Sequence, residues 1–246
     1  MNNKNSLFLF PVLIMVITLF SCSARITGAV KEDSSAEFAL RVSLENRMTA
    51  LIRSLSALSG SSPAASQDNP VIDGPAIGRS MAAAPGLASV SLRNDGPAAV
   101  EGEILISRIG DFLSLPESRG GKRFITYTPS PGRLTITLDR SSGPGIMALI
   151  SPEVTDYLSA FMAPVVTGEV LSQGEYLDLV ASLYGRTLAD EIAAARIYAS
   201  VDFPGPLQSV RGGTFSGRRA EFAVPLVDLL VLENPLEYEV RWQGLN

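Results

Sequence analysis

The chain has 246 residues, 46% of them hydrophobic and 18% charged, a composition that supports an ordered globular core and excludes disorder along the whole length. Its 20 Lys and Arg against 25 Asp and Glu give a formal charge of −5, and the basic residues are scattered singly, which argues against nucleic acid as a partner. The absence of histidine and the single cysteine remove Ser-His-Asp and Cys-His triads, His-ligated metals, CxxC redox pairs and internal disulfides.

Residues 1–21 have the parts of a secretory signal: a polar start with Lys4, an apolar run from Leu7 to Phe20, and the small Ser21. The run is short for a bilayer span and Pro11 interrupts it, so a retained transmembrane helix is disfavoured. The only cysteine, Cys22, follows Leu19-Phe20-Ser21. This segment resembles the lipobox of bacterial lipoproteins, in the looser form of spirochaete envelope proteins, with Phe20 bulkier than the strictest motif allows. The resemblance implies that Cys22 becomes the first mature residue and carries a thioether-linked diacylglycerol and an amide-linked palmitate-type chain. At about 0.8 kcal/mol per buried methylene, such chains make anchoring to the membrane effectively permanent. The implied location is the bacterial cell envelope, outside the cytoplasm.

Ile26-Thr27-Gly28-Ala29-Val30 begins an apolar stretch only four residues after the cysteine, a tether of at most about 14 Å. Lys31 to Ser35 reads as a hairpin turn. Phe38, Leu40, Val42 and Leu44 then alternate with polar residues as a half-buried strand. From Glu45 the period becomes helical: Met48, Leu51, Ile52, Leu55 and Leu58 form one stripe ending at Gly60. A flexible linker follows near 59–72, and Gly74 to Ala84 reads as a short helix. Strands are predicted at Leu87–Leu92 and Val100–Ile109, and again at Arg123–Thr128 and Arg133–Arg140. Pro152–Val166 reads as helical, and a longer helix is predicted over Gln173–Ala195, carrying Tyr176, Val180, Leu183, Tyr184, Leu188 and Ile192. The end returns to strands: Ile197 to Phe203, a hairpin around Phe215-Ser216-Gly217 leading to Val224, a short apolar turn or helix over Pro225–Leu232, and Leu236 to Trp242. The fold class expected is α+β, an antiparallel sheet of hairpins with two or three amphipathic helices packed on one face. Residues 22–246 form a single domain in this reading.

Chemistry finds little purchase. Gly143-Pro144-Gly145-Ile146-Met147-Ala148 satisfies a dinucleotide-type glycine pattern, but it follows a hairpin strand and reads as a turn before a helix. Gly121-Lys122 lacks the upstream glycine of a P-loop. No GxSxG occurs, and neither Lys31 nor Lys122 has a serine three positions before it. Glu101 with Glu103, and Glu237 with Glu239, share strand faces and read as solvated outer surfaces, although a hydrolase would need such carboxylates in unequal environments. Asp68, Asn69 and Asp73 lack calcium-loop spacing and read as linker. Arg211, Arg218 and Arg219 around the glycine-rich hairpin are the candidate contacts to a lipid head group. No cofactor and no metal is expected.

The segments Val201-Asp202-Phe203-Pro204-Gly205, Arg211-Gly212-Gly213-Thr214-Phe215-Ser216-Gly217 and Leu236 to Trp242 resemble the C-terminal part of LppM-type envelope lipoprotein domains. That resemblance covers about a fifth of the chain and implies an α+β envelope domain that binds amphiphiles, with no catalytic residues. The favoured expectation is a non-enzymatic, lipid-anchored protein that binds an envelope protein partner or an amphiphile close to the membrane, in an apolar groove between the sheet and the helices near 45–58 and 173–195. The alternatives are an envelope hydrolase using carboxylates, and a structural or antigenic surface lipoprotein without a ligand.

Overall fold

The computed structural model describes residues 23–59, 69–82, 84–113, 124–143, 158–159 and 161–244. The predicted leader, Cys22, most of the predicted linker with Asp68, Gly121-Lys122, and Pro144 to Ala148 lie outside the described residues.

The chain is α+β, and among the described residues its strands pair antiparallel with one exception. The first strand, β1 (Ser23–Val30), turns through Lys31 to Ser35 into β2 (Ala36–Ser43). Asp33 Oδ1 closes that turn by accepting from the Ser35 backbone N–H at 2.9 Å and from its hydroxyl. Then come α1 (Asn46–Ser59), α2 (Gly74–Met81), β3 (Leu87–Asn94), β4 (Ala99–Ile106) and the single turn α3 (Ile109–Phe112). Strands β5 (Ile125–Thr128) and β6 (Gly132–Leu138) form the next hairpin. The second half holds α4 (Pro164–Thr167), α5 (Gln173–Tyr184), α6 (Arg186–Ala194), β7 (Arg196–Asp202), β8 (Leu207–Arg211), β9 (Thr214–Ser216), β10 (Arg219–Pro225), α7 (Leu226–Val231) and β11 (Leu236–Trp242).

Where one sheet was expected, the strands divide into two: a seven-stranded sheet in the order β3-β4-β2-β1-β7-β10-β9 and a four-stranded sheet in the order β5-β6-β11-β8. Period-two alternation marks which side of a strand is apolar but not which sheet it joins. After β7, the chain runs through Pro204-Gly205-Pro206 into the smaller sheet as β8 and returns to the larger one as β9 and β10. The single parallel pair joins β1 to β7, with Ser23 beside Arg196 and Ala29 beside Asp202.

The predicted helix over 173–195 is two helices. Gly185 takes φ +96° and ψ 150°, outside the helical region and in a range that side chains disfavour. The stripe nevertheless reaches one core from both sides of the break. Tyr176 and Val180 of α5 and Leu188, Ala189 and Ile192 of α6 join Met48 and Ile52 of α1 and Val227, Leu230 and Val231 of α7. Ser172 starts α5 with a reciprocal cap: its hydroxyl accepts from the Glu175 N–H at 3.2 Å, and its own N–H donates to Glu175 Oε2 at 2.8 Å. Of the predicted helix at 152–166, the described residues include helical 158–159 and α4, which begins at Pro164.

This helical core gathers where β1 begins: β2 leads into α1, α6 leads into β7, and the Leu226 N–H at the start of α7 donates to the Ala195 carbonyl at 3.0 Å. A second core lies at the other end of the same sheet face, between the two sheets. Val30, Ala36, Ile106, Phe203 and Ala220 meet Leu207, Val240 and Trp242 there. Trp242 is 3% exposed, with the Phe203 ring 5.0 Å away and the Tyr127 ring 6.0 Å away. Gly132 is required opposite it on β6, because a Cβ there would stand 2.3 Å from the indole. Since β11 lies between β6 and β8, the smaller sheet cannot exist without it.

Within the helical layer, Glu191 of α6 faces Arg47 of α1 at 3.6 Å, while its Oε2 is buried without a hydrogen-bond partner. Burial pushes the Glu191 carboxyl above the ordinary glutamate value; Arg47 opposes that shift and Glu45 adds to it.

Two outcomes follow from these packings. Trp242→Ala is expected to cost about 3–5 kcal/mol in urea denaturation, and removing residues 236–246 is expected to abolish the cooperative transition. A truncated protein that melts like the full chain would show β11 to be peripheral. For Glu191, a folded pKa above the unfolded one means that its contribution is complete below about pH 4.5 and is lost as pH rises through the folded value. Glu191→Gln should therefore flatten the fall in stability measured from about pH 4 to pH 8. Parallel profiles for the two proteins would exclude this carboxyl as the titrating group.

Candidate functional site

The anchor position predicted at Cys22 abuts the fold directly. Ser23 is already in β1, opposite Ser43 of β2 and beside Arg196 of β7. The expected four-residue tether is therefore absent, because Ser23 to Arg25 are spent on sheet pairing. The candidate head-group arginines lie apart from this point. Arg219 pairs in register with Asp202 of β7, beside Ala29 of β1. Six residue steps separate Ala29 from Ser23, about 20 Å along the strand.

Each of those arginines already has a partner in the protein. Arg219 forks onto Asp202, Nε to Oδ1 at 3.0 Å and Nη2 to Oδ2 at 2.7 Å, and this bond holds the Asp202 carboxyl below its ordinary range. Arg218 Nε donates to the Phe203 carbonyl at 2.8 Å, closing the hairpin onto the end of β7. Arg211 Nη1 donates to Glu237 Oε2 at 2.6 Å, from β8 to β11. Binding an anion here would require these residues to exchange partners.

Of the carboxylate pairs, Glu101, Glu237 and Glu239 are bound to arginines. Arg41 donates to Glu101 Oε2 at 3.1 Å and Arg93 to Glu101 Oε1, while Arg41 also reaches Asp95. Glu239 accepts from Arg241 Nε at 2.6 Å and from Arg133 Nε at 2.9 Å, and these bonds, with Arg241 the larger influence, hold its carboxyl below the usual glutamate range. Glu239 is thus an acceptor at neutral pH. Asp73 caps α2, its Oδ1 accepting the Ala76 N–H at 2.9 Å, and the Asn69 carbonyl accepts from Arg53 at 3.2 Å. Among the described residues, no three His, Cys, Asp or Glu side chains gather to hold a metal ion.

Register explains the relief of the two faces of the larger sheet. On the polar face, the long side chains Arg25, Arg41, Glu101 and Arg93 form one row, and the short Thr27, Ala39 and Ser91 stand with Glu103 in the next. The step between them leaves an open depression of about 380 Å³, continuous with a second of about 370 Å³ toward Glu37 and Leu105. Three arginines, Arg25, Arg41 and Arg93, and three carboxylates, Glu37, Glu101 and Glu103, line these depressions, so the surface is charge-balanced. Sequence alternation marks this face as polar, but the small-residue row becomes visible only once four strands are in register.

On the apolar face, Leu92, Gly102, Leu40, Ile26, Ala199 and Phe222 form a row across six strands. All six are half-buried: Phe222 packs against the two-sheet core and Leu92 lies beneath α2 near Gly78, while Leu40, Ile26 and Ala199 belong to neither core. The helical side chains that would wall the expected groove, among them Met48, Ile52, Tyr176 and Ile192, are spent on one another. Tyr176 is fully buried, and that burial pushes its phenol up.

Among the described residues, no helix is long and apolar enough to cross a membrane. No protein-family model matches the chain, and no curated protein matches it. Among solved structures, the chain is similar to the folded domain of LppM from Mycobacterium tuberculosis, determined by NMR, at 10% identity and a TM-score of 0.38, with 92% of each chain covered. A likeness this loose carries no function with it.

Proposed function

We propose that this chain is a non-enzymatic bacterial envelope lipoprotein, held at a membrane by acylated Cys22, whose α+β domain binds an amphiphile or a protein partner at the membrane surface. The observation that carries the reading is the junction of anchor and fold. The sole cysteine, in a lipobox-like Leu19-Phe20-Ser21-Cys22 after an apolar leader, immediately precedes the first residue of a central strand. A domain joined to its anchor by one peptide meets lipid at high effective concentration, so weak affinity is sufficient for binding. The amphiphile is favoured by the half-buried Leu40, Ile26 and Ala199 in the middle of the apolar face, which belong to neither core.

Replacing Cys22 with Ser is expected to abolish metabolic labelling by a fatty acid and to release the protein from membranes or leave it as unprocessed precursor. Label retained in that variant would refute the anchor, since no other thiol exists in the chain. For the ligand, residues 23–246, shown to be folded by circular dichroism, are expected to bind a fluorescent fatty acid saturably at micromolar concentration, and Ile26→Gln should weaken that binding. Absence of saturable binding would leave the protein-partner form of the proposal.

A further inference from the structure

Strand β1 fixes more than the place of the anchor, because it also has a direction. The Cα atoms of Ser23 and Cys22 are separated by one trans peptide, about 3.8 Å. Ser23 is held on both sides, by β2 and by β7, and cannot swing away from the sheet. The end of the sheet that contains Ser23 also contains Ser43, Ala99, Arg196 and Pro225, as the register requires. The turn from Asp95 to Ala98 and the start of α1 lie at this end too, where the Leu44 N–H donates to the Ala98 carbonyl at 2.9 Å. The opposite end contains the Lys31 to Ser35 turn and the Gly217-Arg218 turn, the latter fixed by the Phe203 N–H donating to the Arg218 carbonyl at 2.9 Å. Seven residue steps of β1 separate the two ends, about 23 Å.

We infer that the domain stands on the bilayer with the Ser23 end of its larger sheet against the lipid surface, the helical core next to the membrane, and the two-sheet core with the Arg218-Arg219 turn held outward. This rests on the acylation of Cys22 proposed above. The occupant of the Ser23 end is the lipid surface itself, because no chain lies between the acylated residue and the sheet to permit another arrangement. The same geometry places Arg218 and Arg219 on the face turned to soluble or envelope partners.

The test uses the full chain, processed and acylated in a bacterial host and reconstituted in vesicles of phosphatidylcholine and phosphatidylglycerol that carry a nitroxide on the lipid head group. Acylation converts the only native thiol to a thioether, so a cysteine introduced at an exposed position takes a fluorophore uniquely. Asn46→Cys and Pro97→Cys report the Ser23 end, and Glu32→Cys and Gln208→Cys report the other; all four positions are exposed. Quenching by the nitroxide lipid is expected at 46 and 97 and not at 32 and 208. Equal or reversed quenching, in protein whose intact mass includes the diacylglyceryl group, overturns the orientation while leaving the anchor standing. An intact mass with an unmodified Cys22 overturns the anchor and the orientation together.

Discussion

The parallel pairing of β1 with β7 is the constraint on which the rest of this structure depends. It takes the first strand of the domain and puts it in the middle of the larger sheet, with the hairpin strands β2, β4 and β3 on one side and β10 and β9 on the other. The chain therefore leaves the sheet and comes back twice before β7, over residues 44–86 and 107–195. The described helices α1, α5 and α6 belong to those excursions, and they collect at the end of the sheet where β1 starts because β2 exits and β7 enters there. The second sheet covers the other end of the same face. Two separate cores follow from this division of cover, with α2 lying over β3 beside them.

Charge is arranged across strands and not within a site. Arg133 and Glu239 are 106 residues apart in the chain, Arg211 and Glu237 are 26 apart, and each pair spans neighbouring strands of the smaller sheet. Exposed pairs of this kind contribute little stability individually, and several together mainly keep a polar face satisfied and hold register. They also have a chemical consequence. Glu239, bonded to two guanidiniums and held below the usual glutamate range, is a poor proton donor at neutral pH. Glu191 is the opposite case: a carboxyl short of partners, made awkward by the packing of α6 against α1.

Much of the local structure is legible in the residues. The alternation from Phe38 to Val42 and from Leu236 to Trp242, the turn at Lys31 to Ser35 and the stripe from Met48 to Ile52 each correspond to an element found in the fold. Local pattern ends where the decisive facts are long-range. Nothing in the repeat of Tyr176, Val180, Leu188 and Ile192 announces the break at Gly185, since both halves keep facing one core. The membership of β8 in a different sheet from β9 and β10 depends on partners far along the chain. The candidate site shows the same limit. Cys22 stands out from its neighbours alone, whereas the separation of Arg218 and Arg219 from it requires the register of β1, β7 and β10.

The order in which the chain is made gives the central position of β1 a kinetic side. The hairpins β1-β2 and β3-β4 close through short turns and can form as soon as they emerge, but the second neighbour of β1 begins only at Arg196. Contacts of such long sequence separation form late, because the loop they close is large. Until then Ser23–Val30 is a border strand with free backbone groups, open to pairing with other chains. Arg25 has no ion-pair partner among the described residues in the finished fold, yet it sits on that border throughout the wait. A charge at such a position discourages intrusion by a neighbouring chain, so a residue idle in the completed sheet acts as a guard during assembly.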